Sequence, residues 1–239
     1  MKQLSFRHGW QSAQSSLGWV WPATALVAAL ALVAGTAMVE AQRIASASGA
    51  REAEVDLVQG VSFGLLLPLI CFALSSRLDT GLGALMPALW VRHGGERRAF
   101  ALGRLAFPMA LTAAIALLGG GLALALSLAL SDPALNLSLG PGTSGLALIA
   151  IAALGAASYV SCLGLAQLLA GAWGRALFLL ADWLLGSGSS AVALPWPRAH
   201  LRALLGGQAV LGWGAPSSVA ALMLLTALTL FLYLRRVPH

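Results

Sequence analysis

The sequence predicts an all-α integral membrane protein of six transmembrane helices, and three observations carry that prediction. Of the 239 residues, 59% are hydrophobic and 9% charged, with a mean hydropathy of +0.86; a soluble domain carries nearer a quarter charged residues. The apolar residues gather in long runs, and since a spanning helix needs about 20 of them, six spans leave no soluble domain of useful size. The 14 basic residues outnumber the 8 acidic ones and sit mostly in short connections between the runs. That distribution suits topology and lipid-headgroup contact, whereas a nucleic-acid binder would present a continuous basic face.

Residues 1–17 are polar and basic, with Leu4, Phe6, Trp10 and Leu17 loosely spaced, and read as an interfacial segment. They precede too long a span to be a cleaved signal peptide. Span one covers 18–39 and opens on Trp19 and Trp21 at headgroup depth. Residues 40–56, with Glu40, Arg43, Arg51, Glu52, Glu54 and Asp56, are expected outside. Span two, 57–76, holds Gly60 and Gly64 at a spacing that lets another helix approach. Pro68 is expected to kink this span without breaking the bundle, because a neighbouring helix can satisfy the carbonyl that proline leaves without a donor. Span three covers 105–130, with Pro108 and a Gly119-Gly120-Gly121 weak point or close contact. Residues 131–143, with Asp132-Pro133 and Gly140-Pro141-Gly142, form an outer turn region.

Span four covers 144–170, a brief inner turn runs from Gly171 to Arg175, and span five covers 176–194, stopped by Pro195-Trp196-Pro197. Residues 195–216 are too charged and glycine-rich for a clean span and too apolar for a free loop. A re-entrant or interfacial outer segment is expected there, with protein covering its irregular backbone. Span six covers 217–234 and is anchored by Arg235 and Arg236. The whole chain, 1–239, is thus one transmembrane domain.

Between spans two and three, residues 77–104 combine charge with an amphipathic pattern. Leu82, Leu85, Met86 and Leu89 fall at i, i+3, i+4 and i+7, making one apolar stripe on a short helix whose other side is mostly Gly, Ala and Thr. Pro87 bends or ends it, and His93-Gly94-Gly95 reads as a turn back to the bilayer, His93 having no second ligand at metal spacing. Arg97, Arg98 and Arg104 then mark a cytoplasmic helix entrance.

With Lys2, Arg7, Arg77, Arg92, Arg97, Arg98, Arg104, Arg175, Arg235 and Arg236 inside and only Arg43, Arg51, Arg198 and Arg202 outside, both termini are expected in the cytoplasm. Lys2 is the only lysine and no GxxxxGK[ST] occurs, so the chain has no P-loop and any ATP that drives it is hydrolysed elsewhere. Cys71 and Cys162 lie in apolar runs and read as buried thiols, leaving no metal site.

Six spans with both ends inside, a cytoplasmic connection after span two and an outer re-entrant segment before span six resemble the permease subunit of ABC-2 type transporters. The loop is similar in detail: Arg77, Asp79, Thr80 and Gly81 open it, Leu82 to Trp90 form the short helix, and Arg97, Arg98, Gly103 and Arg104 precede span three, in the family's order. The resemblance implies a multi-pass subunit of the bacterial inner membrane, most naturally an exporter. It implies that Leu82, Leu85, Met86, Leu89 and Trp90 dock as a coupling helix on a separate ABC ATPase, with Arg92, Arg97 and Arg98 positioning the loop. The ATPase would bind ATP and magnesium, this chain would hold no cofactor, and a second permease chain, identical or related, would complete the pathway among membrane lipids, with accessory subunits as further partners.

Three residues are candidates for the substrate path. Asp182 is the one acid well inside an apolar run, where a charge is costly, although it lies seven residues, roughly 10 Å, beyond Arg175 and so near an interface. Trp196 and Trp213 flank the outer segment, where tryptophans serve as interface anchors and can meet an amphiphile. Two other readings compete. Gly142-Thr143-Ser144-Gly145 with His200 downstream resembles the Ser–His pair of rhomboid intramembrane proteases, with His200 as base for Ser144, although span two carries no histidine. A non-catalytic membrane scaffold would need neither ATPase nor serine.

Overall fold

Alanine and leucine dominate the apolar runs, and both favour helix. The computed structural model describes residues 2–18, 64, 67–77, 96–130, 145–205 and 207–237, and among them there is no strand. The helices are α1 (Lys2–Leu17), α2 (Leu67–Arg77), α3 (Arg97–Leu130), α4 (Gly145–Leu185), α5 (Pro197–Leu204) and α6 (Ala215–Arg236), with single 3-10 turns at Ala191–Ala193 and Val210–Gly212. Three stretches of 22 residues, Arg97–Leu118, Ala150–Gly171 and Ala215–Arg236, are long and apolar enough to cross a membrane. Each is about 33 Å long, against a hydrocarbon core of about 30 Å. The described part is therefore an all-helical protein of membrane type. Residues 19–39 of the expected span one and residues 40–56 lie outside the described residues, as do residues 131–143, where a turn region is expected.

α4 is a hairpin. At Ala170 (φ −136°, ψ 19°) and Gly171 (φ 62°, ψ −149°) the backbone leaves the helical region, and the left-handed φ at position 171 suits a residue without Cβ. Tyr159 and Asp182, about 35 Å apart in a continuous helix, are hydrogen-bonded at 2.8 Å, so the chain reverses between them. A side chain at Gly174 would overlap the carbonyl of Ala166, so the arms meet backbone to backbone. The turn expected between spans four and five is thus present. The second arm, however, ends at Leu185 where the sequence predicts helix to residue 194. Gly186-Ser187-Gly188-Ser189-Ser190 follows, a run that favours turns over helix, and an arm of 172–185 is about 21 Å long.

α2 and α6 both run parallel to the first arm. Leu67 of α2 lies at Gly155, and Ser75, near the end of α2, receives Arg175 from the hairpin turn. On the α6 side Ser158 meets Thr226 (2.8 Å), the Thr229 hydroxyl donates to Ser161 Oγ (2.8 Å), and Tyr233 packs by Gly164 together with Leu105 of α3. Interhelical hydroxyl contacts of this kind join helices where lipid offers no hydrophobic drive. The core gathers Leu67, Leu105, Tyr159, Leu163, Leu201 and Leu222 from five helical segments. Cys71 and Cys162 are buried free thiols.

α3 starts at Arg97, eight residues ahead of the expected span, and runs unbroken through Pro108 and the three glycines. Its first turns are covered by α1, which presents Ser5, Gly9, Ala13 and Leu17, one residue per turn, as its buried stripe. A side chain on Gly9 would overlap the Phe100 carbonyl and one on Gly103 the Phe6 carbonyl, so the two backbones touch. The Ser5 hydroxyl accepts the Glu96 N–H (3.0 Å) and Trp10 packs edge-on against Phe107 (5.1 Å). The segment read as interfacial is therefore docked along α3, and Arg104, read as marking the entrance to span three, is buried.

Candidate functional site

The described chemistry collects where the second arm of α4 meets the outer segment. α5 begins after Trp196, whose indole makes no cap bond. Asp182 supplies the cap from another helix: Oδ1 accepts the backbone N–H of Arg198 (3.1 Å), while Oδ2 accepts the hydroxyl of Tyr159 from the first arm (2.8 Å). A carboxylate is favoured at a helix N-terminus by the unpaired N–H groups and the dipole there. Asp182 is 1% exposed, so these donors stand in for water.

Arg198 extends the cluster. Its Nη1 donates to the carbonyl of Gly64 in span two (2.6 Å), and its guanidinium carbon lies 6.0 Å from the Trp183 ring centre. Trp196 packs on Phe178 with centroids 5.7 Å apart. Leu201 is buried against Leu67 and Gly155. Protein thus covers α5, of which Pro197, Ala199, His200 and Leu201 are buried, whereas residues 187–192 and 211–216 on either side of it are exposed.

At the opposite end Arg175, also buried, donates from Nη1 to the Ser75 carbonyl (2.8 Å) and to Gln167 Oε1 (2.9 Å). A cation on the last carbonyls of α2 complements that helix's C-terminal dipole.

Of the residues singled out from sequence, the structure brings Asp182 and Trp196 together at the start of α5 and leaves Trp213 apart and exposed, after the 3-10 turn. His200 is held within its own segment, its Nε2 donating to the Leu194 carbonyl at 2.8 Å. Ser144 lies outside the described residues, as do Leu82, Leu85, Met86, Leu89, Trp90 and Arg92; Arg97 and Arg98 form the first residues of α3. No group of histidines, cysteines and carboxylates is placed to hold a metal ion among the described residues. Sequence reasoning missed Tyr159, Arg198, Gln167 and the tie of Arg175. One signal was available: Pro68 stands four residues after Gly64 and removes the α-helical donor of its carbonyl.

Chemically, the cluster is a fastener. The carboxylate has two donors, the Tyr159 hydroxyl and the Arg198 N–H, and the guanidinium has a carbonyl acceptor. Compared with known proteins, the chain matches no family model, no curated protein and no solved structure.

Proposed function

We propose that this chain is the six-span permease subunit of an ATP-driven ABC-2 type transporter, an exporter of the bacterial inner membrane with both termini in the cytoplasm. The observation that carries the reading is the sequence of the stretch 77–104, apolar residues at helical spacing followed by a basic cluster, set between two apolar runs. Three features of the described fold support it. The stretch leaves α2 and enters α3 at one end of the bundle, the end of the α4 turn, because Ser75 is tied to Arg175 and Leu105 packs by Gly164. Lys2, Arg97, Arg98, Arg175, Arg235 and Arg236 gather toward that same end, whereas Arg198 and Arg202 belong to the outer segment; basic residues favour the cytoplasmic side. A broken segment whose short helix α5 is partly buried stands directly ahead of the last span, in keeping with the ABC-2 layout.

On this reading the chain itself is no enzyme. A separate ATPase binds ATP and magnesium and receives Leu82, Leu85, Met86, Leu89 and Trp90, and its closure shifts two permease chains between two openings. The test is affinity purification from the native membrane in mild detergent, comparing wild type with a Leu85→Asp/Leu89→Asp variant by mass spectrometry. A P-loop ATPase present with the wild type and absent from the equally folded variant is the expected result. Wild-type complexes that contain no ATPase overturn the reading, and capture of other membrane subunits alone leaves the scaffold in its place.

A further inference from the structure

The hydrogen bond between Arg198 and Gly64 joins two features that are far apart in the chain. Proline at position 68 has no N–H, so the carbonyl four residues earlier, that of Gly64, loses its α-helical partner inside an apolar run. An unpaired carbonyl away from water is costly. Arg198 Nη1 donates to it at 2.6 Å, and Gly64 is buried. The guanidinium can reach it only because Arg198 is the second residue of α5, whose start is fixed by Asp182, itself fixed by Tyr159.

The rest of the segment is built to be held in place by such contacts. It leaves the second arm through Gly186 to Ser190, and it returns to α6 past Leu211, a non-glycine residue at φ 54°. A left-handed leucine stores strain that surrounding contacts must hold. The 2.8 Å bond from Leu211 N–H to the Ser189 carbonyl closes the segment into a loop on its own stem.

We propose that Pro68 makes span two a socket for the outer segment: the carbonyl it frees is the acceptor that Arg198 locks, so the proline gap in the hydrogen-bond ladder of span two and the seating of residues 187–214 form one two-state element. Unseating the segment strips Gly64 of its donor, and closing that gap strips Arg198 of its acceptor. The coupling holds whether or not an ATPase docks on the chain.

The test is a double-mutant cycle read by thiol accessibility. Ala199, 2% exposed, becomes the single thiol in an Ala199→Cys chain with Cys71→Ala and Cys162→Ala, purified full-length into lipid nanodiscs and labelled with N-ethylmaleimide. Arg198→Ala should raise the labelling rate about tenfold, the scale of a lost charge-assisted hydrogen bond. Pro68→Ala gives span two its own donor for Gly64 and should raise the rate about threefold, by competition. The double variant should label no faster than Arg198→Ala alone, because both changes act on one bond. A rate for Arg198→Ala within about twofold of the parent overturns the proposal, as do two effects that simply multiply. Should Arg198→Ala fail to fold, Pro68→Ala still decides, since it only restores a helix donor: an unchanged rate sinks the coupling.

Discussion

The two ends of this bundle are fastened by opposite means. At the basic end α1 is held to α3 by shape: small residues let two backbones touch, and few polar contacts are involved. At the other end the outer segment is held by polar groups, with Asp182, Tyr159 and Arg198 satisfying one another around the start of an eight-residue helix. The difference follows from what each element can offer. A regular helix such as α1 has satisfied its own backbone and needs only a smooth neighbour, while a broken segment brings unpaired N–H and carbonyl groups that must find partners. Shape is sensitive to added bulk, and polar closure to removed donors and acceptors.

That contrast is open to attack from both sides. The largest effect is expected from Gly9→Leu, whose side chain would run into the Phe100 carbonyl and should cost about 3 kcal/mol by overpacking. Thermal unfolding in detergent, with proteolysis within residues 2–17 as the local readout, checks it; a variant as stable as the parent would show that the helices are not in backbone contact. Asp182→Ala comes next, at about 2 kcal/mol, because it leaves a buried hydroxyl and a helix N–H without an acceptor. Its damage should appear as faster hydrogen exchange at the start of α5, and Asp182→Asn should be milder; equal exchange in all three chains contradicts the cap. Thr229→Val removes one rung between α6 and the hairpin and should cost about 0.6 kcal/mol, the average for such bonds within a membrane. Lys2→Ala should change stability by less than about 0.5 kcal/mol, since the Lys2–Glu96 pair at 3.8 Å is largely solvated. A large loss there would mean that charge, and not shape, holds α1.

Much of the helical layout was legible in the sequence. The apolar runs at 105–130, 145–170 and 217–234 are helices, and the turn expected over 171–175 is present but tighter, the backbone leaving the helical region only at Ala170 and Gly171. The expectation that a neighbour would satisfy the carbonyl freed by Pro68 is met by Arg198. The packing of α1 was not legible, because an amphipathic search follows large apolar residues and Leu4 and Phe6 turn out exposed, while the buried stripe is Ser5, Gly9 and Ala13. The same search extends span five too far: residues 191–194 are apolar, but Gly186 and the serines after it end the helix first. Asp182 stands out by its rarity in an apolar run, whereas Tyr159 and Arg198 do not, since their meeting depends on a chain reversal and on the seat of α5, both tertiary facts.

The hydroxyl rungs along α6 also bear on how the protein is assembled during synthesis. Thr226 and Thr229 each donate to a carbonyl one turn back in their own helix, Leu222 and Leu225, at 2.8 Å. A newly inserted α6 therefore carries no unsatisfied threonine into the lipid while it waits for Ser158 and Ser161, which emerged from the ribosome more than sixty residues earlier. Thr226 can accept a hydrogen bond from Ser158 while it keeps its own bond to Leu222, and Thr229, having one hydrogen, exchanges its bond to Leu225 for one to Ser161, whose own hydroxyl donates to the Ser158 carbonyl. The late helix can thus diffuse, meet the hairpin and zip rung by rung, with neither threonine left bare along the way.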